Sequence, residues 1–169
     1  LFASQPLAGR GHPAAWDEHR ALKLILDTLG RRSGTLPITL RIRLHPAEVA
    51  HTFDALLARW SPPPNVHVLF GGRRDRHDAV SDAHLVLGIV SLLMVEAQWL
   101  GRPVISVQPG GLEPSDLLDL NGIQAVHTSD ELLRVLDQLL ESPPKLPDPP
   151  APSIPRWLET LEEYESFGA

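Results

Sequence analysis

Four short polar segments carry the side chains of this chain that could bind an anion or a hydroxyl. Ser4-Gln5-Pro6 offers a hydroxyl and an amide for a ligand, although ordinary turn chemistry before Pro6 uses the same residues. In Arg43-Leu44-His45-Pro46 an imidazole stands at the expected start of a helix. It can donate to a phosphate where the helix N-terminus favours the same negative charge, with Pro46 fixing the angle of entry, or it can simply cap the helix. In Gly88-Ile89-Val90-Ser91, Gly88 admits close backbone approach or a positive φ. The Ser91 hydroxyl and the amides of Leu92 and Leu93 would then form an anion cradle at a helix head, a role compatible with an N-cap serine. Glu96 follows on that helix among Leu, Met, Val and Trp, either solvated on the outer face or held near the cleft. The fourth segment is Gln108-Pro109-Gly110-Gly111-Leu112-Glu113-Pro114-Ser115, in which Glu113 and Ser115 could bind a ribose or sugar hydroxyl.

Several chemistries lack their signatures. There is no GxGxxG, Walker loop or GxSxG elbow, so no dinucleotide cofactor is expected and no catalytic residue is assigned within this chain. The eight histidines form neither HxxxH nor HExxH, and no metal site is expected. The cluster Arg73-Arg74-Asp75-Arg76 is a solvated loop or a contact for an anionic ligand.

These segments need elements to position them. Six apolar or β-branched runs predict strands at Leu1–Ser4, Ile38–Leu44, Val66–Phe70, His84–Leu87, Val104–Val107 and Ile123–Val126. Helical spacings alternate with them, which implies an α/β fold, a Rossmann-like, doubly wound, three-layer arrangement around a mostly parallel six-stranded sheet. Leu22, Ile25, Leu26 and Leu29 define a helix stopped by Gly30. A second helix is expected from Pro46 through Phe53, Leu56 and Leu57 to Trp60, and a short one near Asp75–Val80. The helix after Ser91 should end at Gly101. A capping box, Thr128-x-x-Glu131, opens another with Leu132, Leu133, Leu136, Leu139 and Leu140 inward. Residues 1–141 thus read as one ligand-binding domain. Seven of the 17 prolines fall between Pro143 and Pro155, so 142–153 reads as a linker or strap. The tail 154–169 carries Trp157, Leu158, Leu161 and Tyr164 at helical spacing.

The 169 residues carry 15 Lys+Arg against 21 Asp+Glu, a net charge of −6. That balance, without a basic block, argues against nucleic acid as a partner. No apolar run is long enough for a transmembrane segment. The absence of cysteine excludes disulfides, thiolate metal sites and a cysteine nucleophile. The expected location is cytoplasmic, with any peripheral attachment to the inner membrane supplied by the full-length protein. A start at Leu1-Phe2-Ala3-Ser4, without Met or signal-peptide pattern, suggests a fragment of something longer.

Taken in order, Phe2-Ala3-Ser4-Gln5-Pro6-Leu7, Arg43-Leu44-His45-Pro46, Ser91 with Glu96-Ala97, and Leu100-Gly101-Arg102-Pro103-Val104-Ile105 resemble the C-terminal half of GT-B glycosyltransferases. Bacterial sialyltransferases, polysialyltransferases and capsule-sugar transferases are the closest echo, over about residues 1–140. The resemblance implies a sugar nucleotide as ligand, with His45 and Ser91 on its phosphate, and a transferase of surface or capsular polysaccharide synthesis. It also implies an N-terminal acceptor domain, which this chain lacks, so that the chain alone should bind without turnover. Where sialyltransferases carry two adjacent hydroxyl residues this chain has Val90-Ser91, which leaves the nucleotide open between CMP-, UDP- and similar donors. The Glu96 to Ile105 stretch, E-A-x-x-L-G-x-P-V-I, is shared widely among GT-B proteins, including the sugar-nucleotide 2-epimerases of the same fold, a second reading. A non-catalytic α/β docking module is a third.

Overall fold

In a computed structural model, the described residues are 1–8, 17–32, 34–71, 76–110, 118–119 and 121–141. The strands are β1 (Phe2–Ala3), β2 (Ile38–Arg43), β3 (Val66–Gly71), β4 (Val86–Gly88), β5 (Val104–Val107) and β6 (Gln124–Val126). The helices are α1 (Glu18–Arg31), α2 (Asp54–Leu57), α3 (Arg76–Ser81), α4 (Leu92–Trp99) and α5 (Ser129–Glu141). All six strands pair in parallel in the order β3-β2-β1-β4-β5-β6. This is a Rossmann-like α/β sheet, wholly parallel where the sequence implied mostly parallel.

Alternation along the strands divides the core between the two faces. Phe2, Ile42, Leu87, Ile105 and Val126 pack with Leu22, Ile25 and Leu26 of α1 and Leu132 and Leu136 of α5. On the opposite face Val86 packs with Val80 of α3 and Ala97 of α4, while Met94 and Val95 of α4 pack with Leu118 and Ile123. Short, doubly covered β4 and β5 are therefore almost wholly buried.

Local chemistry sets the helix ends. Asp17 caps α1 by accepting the N–H groups of His19 and Arg20 at 2.8 and 3.1 Å. Gly30 does not stop this helix, which runs on to Arg31. The Gly30 φ is not positive, and the stop falls to extended Arg32 instead. At the end of α4, Gly101 at φ 70° lets its own N–H reach the Gln98 carbonyl and the Arg102 N–H reach that of Ala97. That 5→2 and 6→1 pairing is a Schellman motif. In α5 the capping box forms as expected, with Glu131 N–H donating to Thr128 Oγ1 and Thr128 N–H to Glu131 Oε2, both at 3.2 Å.

The expected helix from Pro46 to Trp60 shrinks to Asp54–Leu57. Pro46 does not open a helix because the backbone that follows it is held in turns. The Glu48 N–H donates to the His45 carbonyl, the Ala47 N–H to His45 Nδ1, and both the N–H and the hydroxyl of Thr52 to the Val49 carbonyl. Phe53 ends this run fully buried, edge-on to Phe2 at 6.2 Å between ring centroids. The linker 142–153 and the tail 154–169 lie outside the described residues. No helix among the described residues is long and apolar enough to cross a membrane.

Candidate functional site

The chain winds from β1 to β2 and β3 on one side, then returns to place β4 on the other side of β1. The loops after β1 and β4 consequently diverge, and the crevice outside the carboxyl ends of these two strands is a topological switch point. Three of the polar segments named from sequence follow β2, β1 and β4, which are adjacent strands. At about 4.8 Å per strand, their loops start within roughly 10 Å of one another.

Ser4 is buried, and its hydroxyl donates to Glu48 Oε1 at 2.6 Å. The other oxygen of that carboxylate accepts the His45 N–H, also at 2.6 Å. No cation pairs with Glu48 among the described residues. Since His45 Nδ1 accepts the Ala47 N–H at 3.1 Å, the proton of the neutral ring sits on Nε2, leaving an outward donor on an exposed side chain. Pro46 is exposed in the turn. The loop after β1 is anchored from below by Glu18, a buried carboxylate that accepts the N–H groups of Leu7 and Ala8 at 3.0 and 2.8 Å. Gln5 Oε1 reaches across the switch point to accept the Val90 N–H at 3.3 Å.

Ser91 occupies the N-cap position of α4 with an extended backbone, but its hydroxyl makes no capping bond. That oxygen is buried without a partner among the described residues. Gly88 does not have the positive φ that the sequence allowed for. Glycine is needed there because a Cβ would stand 2.7 Å from Met94 Sδ and 3.3 Å from the Ala3 carbonyl oxygen, so α4 lies directly on β4. Leu92 points outward, 67% exposed. Glu96 shares that outer stripe with Leu92 and Trp99, four and three residues away. It is half-buried and makes no ion pair among the described residues. Glu113 and Ser115 lie outside the described residues.

Ser106 and His127 were not singled out from the sequence, and Gln108 only as the first residue of the fourth polar segment. Ser106 and Gln108 of the β5 segment are fully buried; the Ser106 hydroxyl donates to the Ile89 carbonyl, and Gln108 Nε2 donates to Ser106 Oγ at 2.7 Å. His127, after β6, holds the Gln108 carbonyl through Nδ1 at 3.0 Å. Its backbone N–H donates to Glu131, and this bond is the main reason the Glu131 carboxyl lies below the usual carboxylate range. Polar residues alternating within the apolar strand Val104-Ile105-Ser106-Val107-Gln108 were the available signal. For Glu48 and Glu18 only the three-residue spacing from His45 and the position after Asp17 were visible.

A hollow of about 720 Å³ opens elsewhere, at the amino ends of the strands, lined mostly by apolar residues such as Ile25, Leu29, Leu36, Leu136 and Leu139. Thr39, Arg41, Asp82 and His84 supply its polar lining, with Arg41 paired to Asp82, but it lies away from the switch point, where three polar loops converge, and the carboxyl-end crevice is the candidate site. Among the described residues no group of three His, Asp or Glu could hold a metal ion. Comparison with protein-family models finds no match to this chain, and comparison with curated proteins finds no similar sequence.

Proposed function

We propose that this chain is the donor-binding half of a GT-B glycosyltransferase that takes a CMP-, UDP- or similar sugar nucleotide for surface or capsular polysaccharide synthesis. The observation that carries this reading is the convergence of Ser4-Gln5, His45 and the head of α4 on one switch-point crevice. Open α/β sheets bind nucleotides there, and the resemblance in sequence concerns the same segments. In this reading the amides at the head of α4, the Ser91 hydroxyl and His45 Nε2 hold the donor's phosphate. As the glycosidic bond to the nucleotide breaks, negative charge grows on the departing phosphate oxygen, where donors fixed in advance stabilise it. The acceptor and the group that deprotonates it belong to a separate domain, so the chain alone binds without turnover.

Titration calorimetry with CMP, UDP, GDP and ADP tests the reading. One nucleotide is expected to bind selectively, and His45→Ala to weaken it by about 1–3 kcal/mol through loss of a charge-assisted hydrogen bond. Binding of none of the four, or an affinity indifferent to His45→Ala, overturns the assignment and favours the docking module.

A further inference from the structure

The peptide unit joining Ile89 to Val90 is held at both poles across the switch point. Its carbonyl accepts the Ser106 hydroxyl and, at 3.5 Å, Gln108 Nε2, both from the β5 side. Its N–H donates to Gln5 Oε1 from the β1 side. A trans peptide places its carbonyl and N–H on opposite edges of one plane, so holding both stops that plane from rotating. The Gln108 carbonyl is itself tied to His127, and Gly88 lets Met94 press α4 onto β4 just upstream. The clamp therefore rests on rigid elements.

What the clamp sets is the head of α4. The Met94 N–H is the first to bond back into the helix, to the Ser91 carbonyl at 3.1 Å, and the N–H groups of Ser91, Leu92 and Leu93 make no bond among the described residues. The Ser91 hydroxyl of this head also lacks a partner there, whereas the unpartnered Oε1 of wholly buried Gln108 is an acceptor and offers nothing to an anion. Burying polar side chains such as Ser106 and Gln108 is costly unless their bonds are used. Here the Ser106 hydroxyl is spent on one loop carbonyl, and Gln108 Nε2 braces that hydroxyl at 2.7 Å.

We infer that Ser106, Gln108 and Gln5 are positioning residues for a phosphate cradle, in which the amides of Ser91, Leu92 and Leu93, unbonded among the described residues, and the Ser91 hydroxyl present four donors to the oxygens of one phosphate group. This rests on the donor-nucleotide reading above and deepens it. The cradle recognises the phosphate moiety itself, so inorganic pyrophosphate and a nucleoside diphosphate should respond alike to loss of the clamp, whereas base or sugar recognition should not.

The test uses the full chain and a near-isosteric pair at one position. Ser106→Thr keeps the hydroxyl, Ser106→Val removes it, and both add similar bulk. Calorimetry with pyrophosphate and with whichever of CMP, UDP, GDP and ADP the parent chain selects is expected to show Ser106→Val weakened by about tenfold for both ligands and Ser106→Thr within about threefold of the parent. Thermal melting verifies that each variant folds, and the amide resonances of Ser91, Leu92 and Leu93 should shift when pyrophosphate is added to the parent chain. Gln5→Ala loosens the clamp from the opposite, half-buried side and should weaken both ligands in the same ratio, which keeps the test decisive if position 106 tolerates no change. Equal affinities of Ser106→Val and Ser106→Thr in folded protein, or of Gln5→Ala and the parent, would leave the donor reading standing and overturn the clamp. No binding of either ligand to the parent chain overturns both.

Discussion

Ser4 Oγ and Glu48 Oε1 stand 2.6 Å apart although 44 residues separate them in the sequence, and the second oxygen of the same carboxylate takes the His45 N–H. One side chain thus fastens the loop after β1 to the loop after β2 at the mouth of the crevice. Glu48→Ala leaves a buried hydroxyl and a backbone donor without their acceptor. A loss of about 1–3 kcal/mol in urea unfolding is expected, and a smaller one for Glu48→Gln, whose amide oxygen still accepts one bond. Unchanged unfolding midpoints in both variants would show that the carboxylate fastens nothing.

Glu18 does the same from beneath, accepting two consecutive N–H groups at Leu7 and Ala8. Glu18→Ala should lower stability by about 1–3 kcal/mol and expose the loop after β1. Faster amide exchange at Leu7 and Ala8 than elsewhere in the chain is the signature to measure. Uniform exchange across the chain would contradict it.

Gly88 is required by α4 and not by its own φ. Gly88→Ala drives a Cβ to 2.7 Å from Met94 Sδ, closer than real contacts come. Overpacking of this kind costs about 1–3 kcal/mol. Because the opposing atom belongs to a flexible side chain, Gly88→Ala combined with Met94→Ala should recover part of the loss relative to Met94→Ala alone, a coupling that a double-mutant cycle reads directly. Strict additivity would remove Met94 as the cause.

The capping box at α5 carries a pH dependence. Thr128→Ala should cost about 1 kcal/mol, as N-cap losses do. The Glu131 carboxyl is held below its ordinary range, first by the His127 N–H and then by that of Thr128. A carboxyl depressed on folding binds fewer protons in the native state, so its contribution is present above the unfolded-state value and is lost as pH falls through the folded one. The stability difference between the parent chain and Glu131→Gln should therefore be largest near neutral pH and shrink below about pH 4. A pH-independent difference would argue that the carboxylate's charge plays no part.

The segments around the crevice were readable because a parallel α/β fold announces itself through apolar runs alternating with helical spacings, and its carboxyl-end loops follow the strands. Ser4, Gln5, His45 and Ser91 were picked out as polar residues just past such runs. Glu48, Glu18 and Ser106 were not, since each gains its importance from a partner on another element. Glu96 stands one turn below Leu92 on α4, half-buried, and its neighbours in sequence do not say which way its carboxylate is turned.

By itself the sequence determined the six strands, the main helices and the capping box at Thr128, because these depend on periodicity and on neighbours three or four residues away. It could not determine that Pro46 leads into turns and not a helix, since a carboxylate two residues on accepts the hydroxyl of Ser4 from the loop after β1. Nor could it reveal why position 88 is glycine or which groups hold the Ile89 to Val90 peptide. Those depend on where β4 meets α4 and on which strands flank β1, relationships between residues distant in sequence that come into being when the sheet assembles.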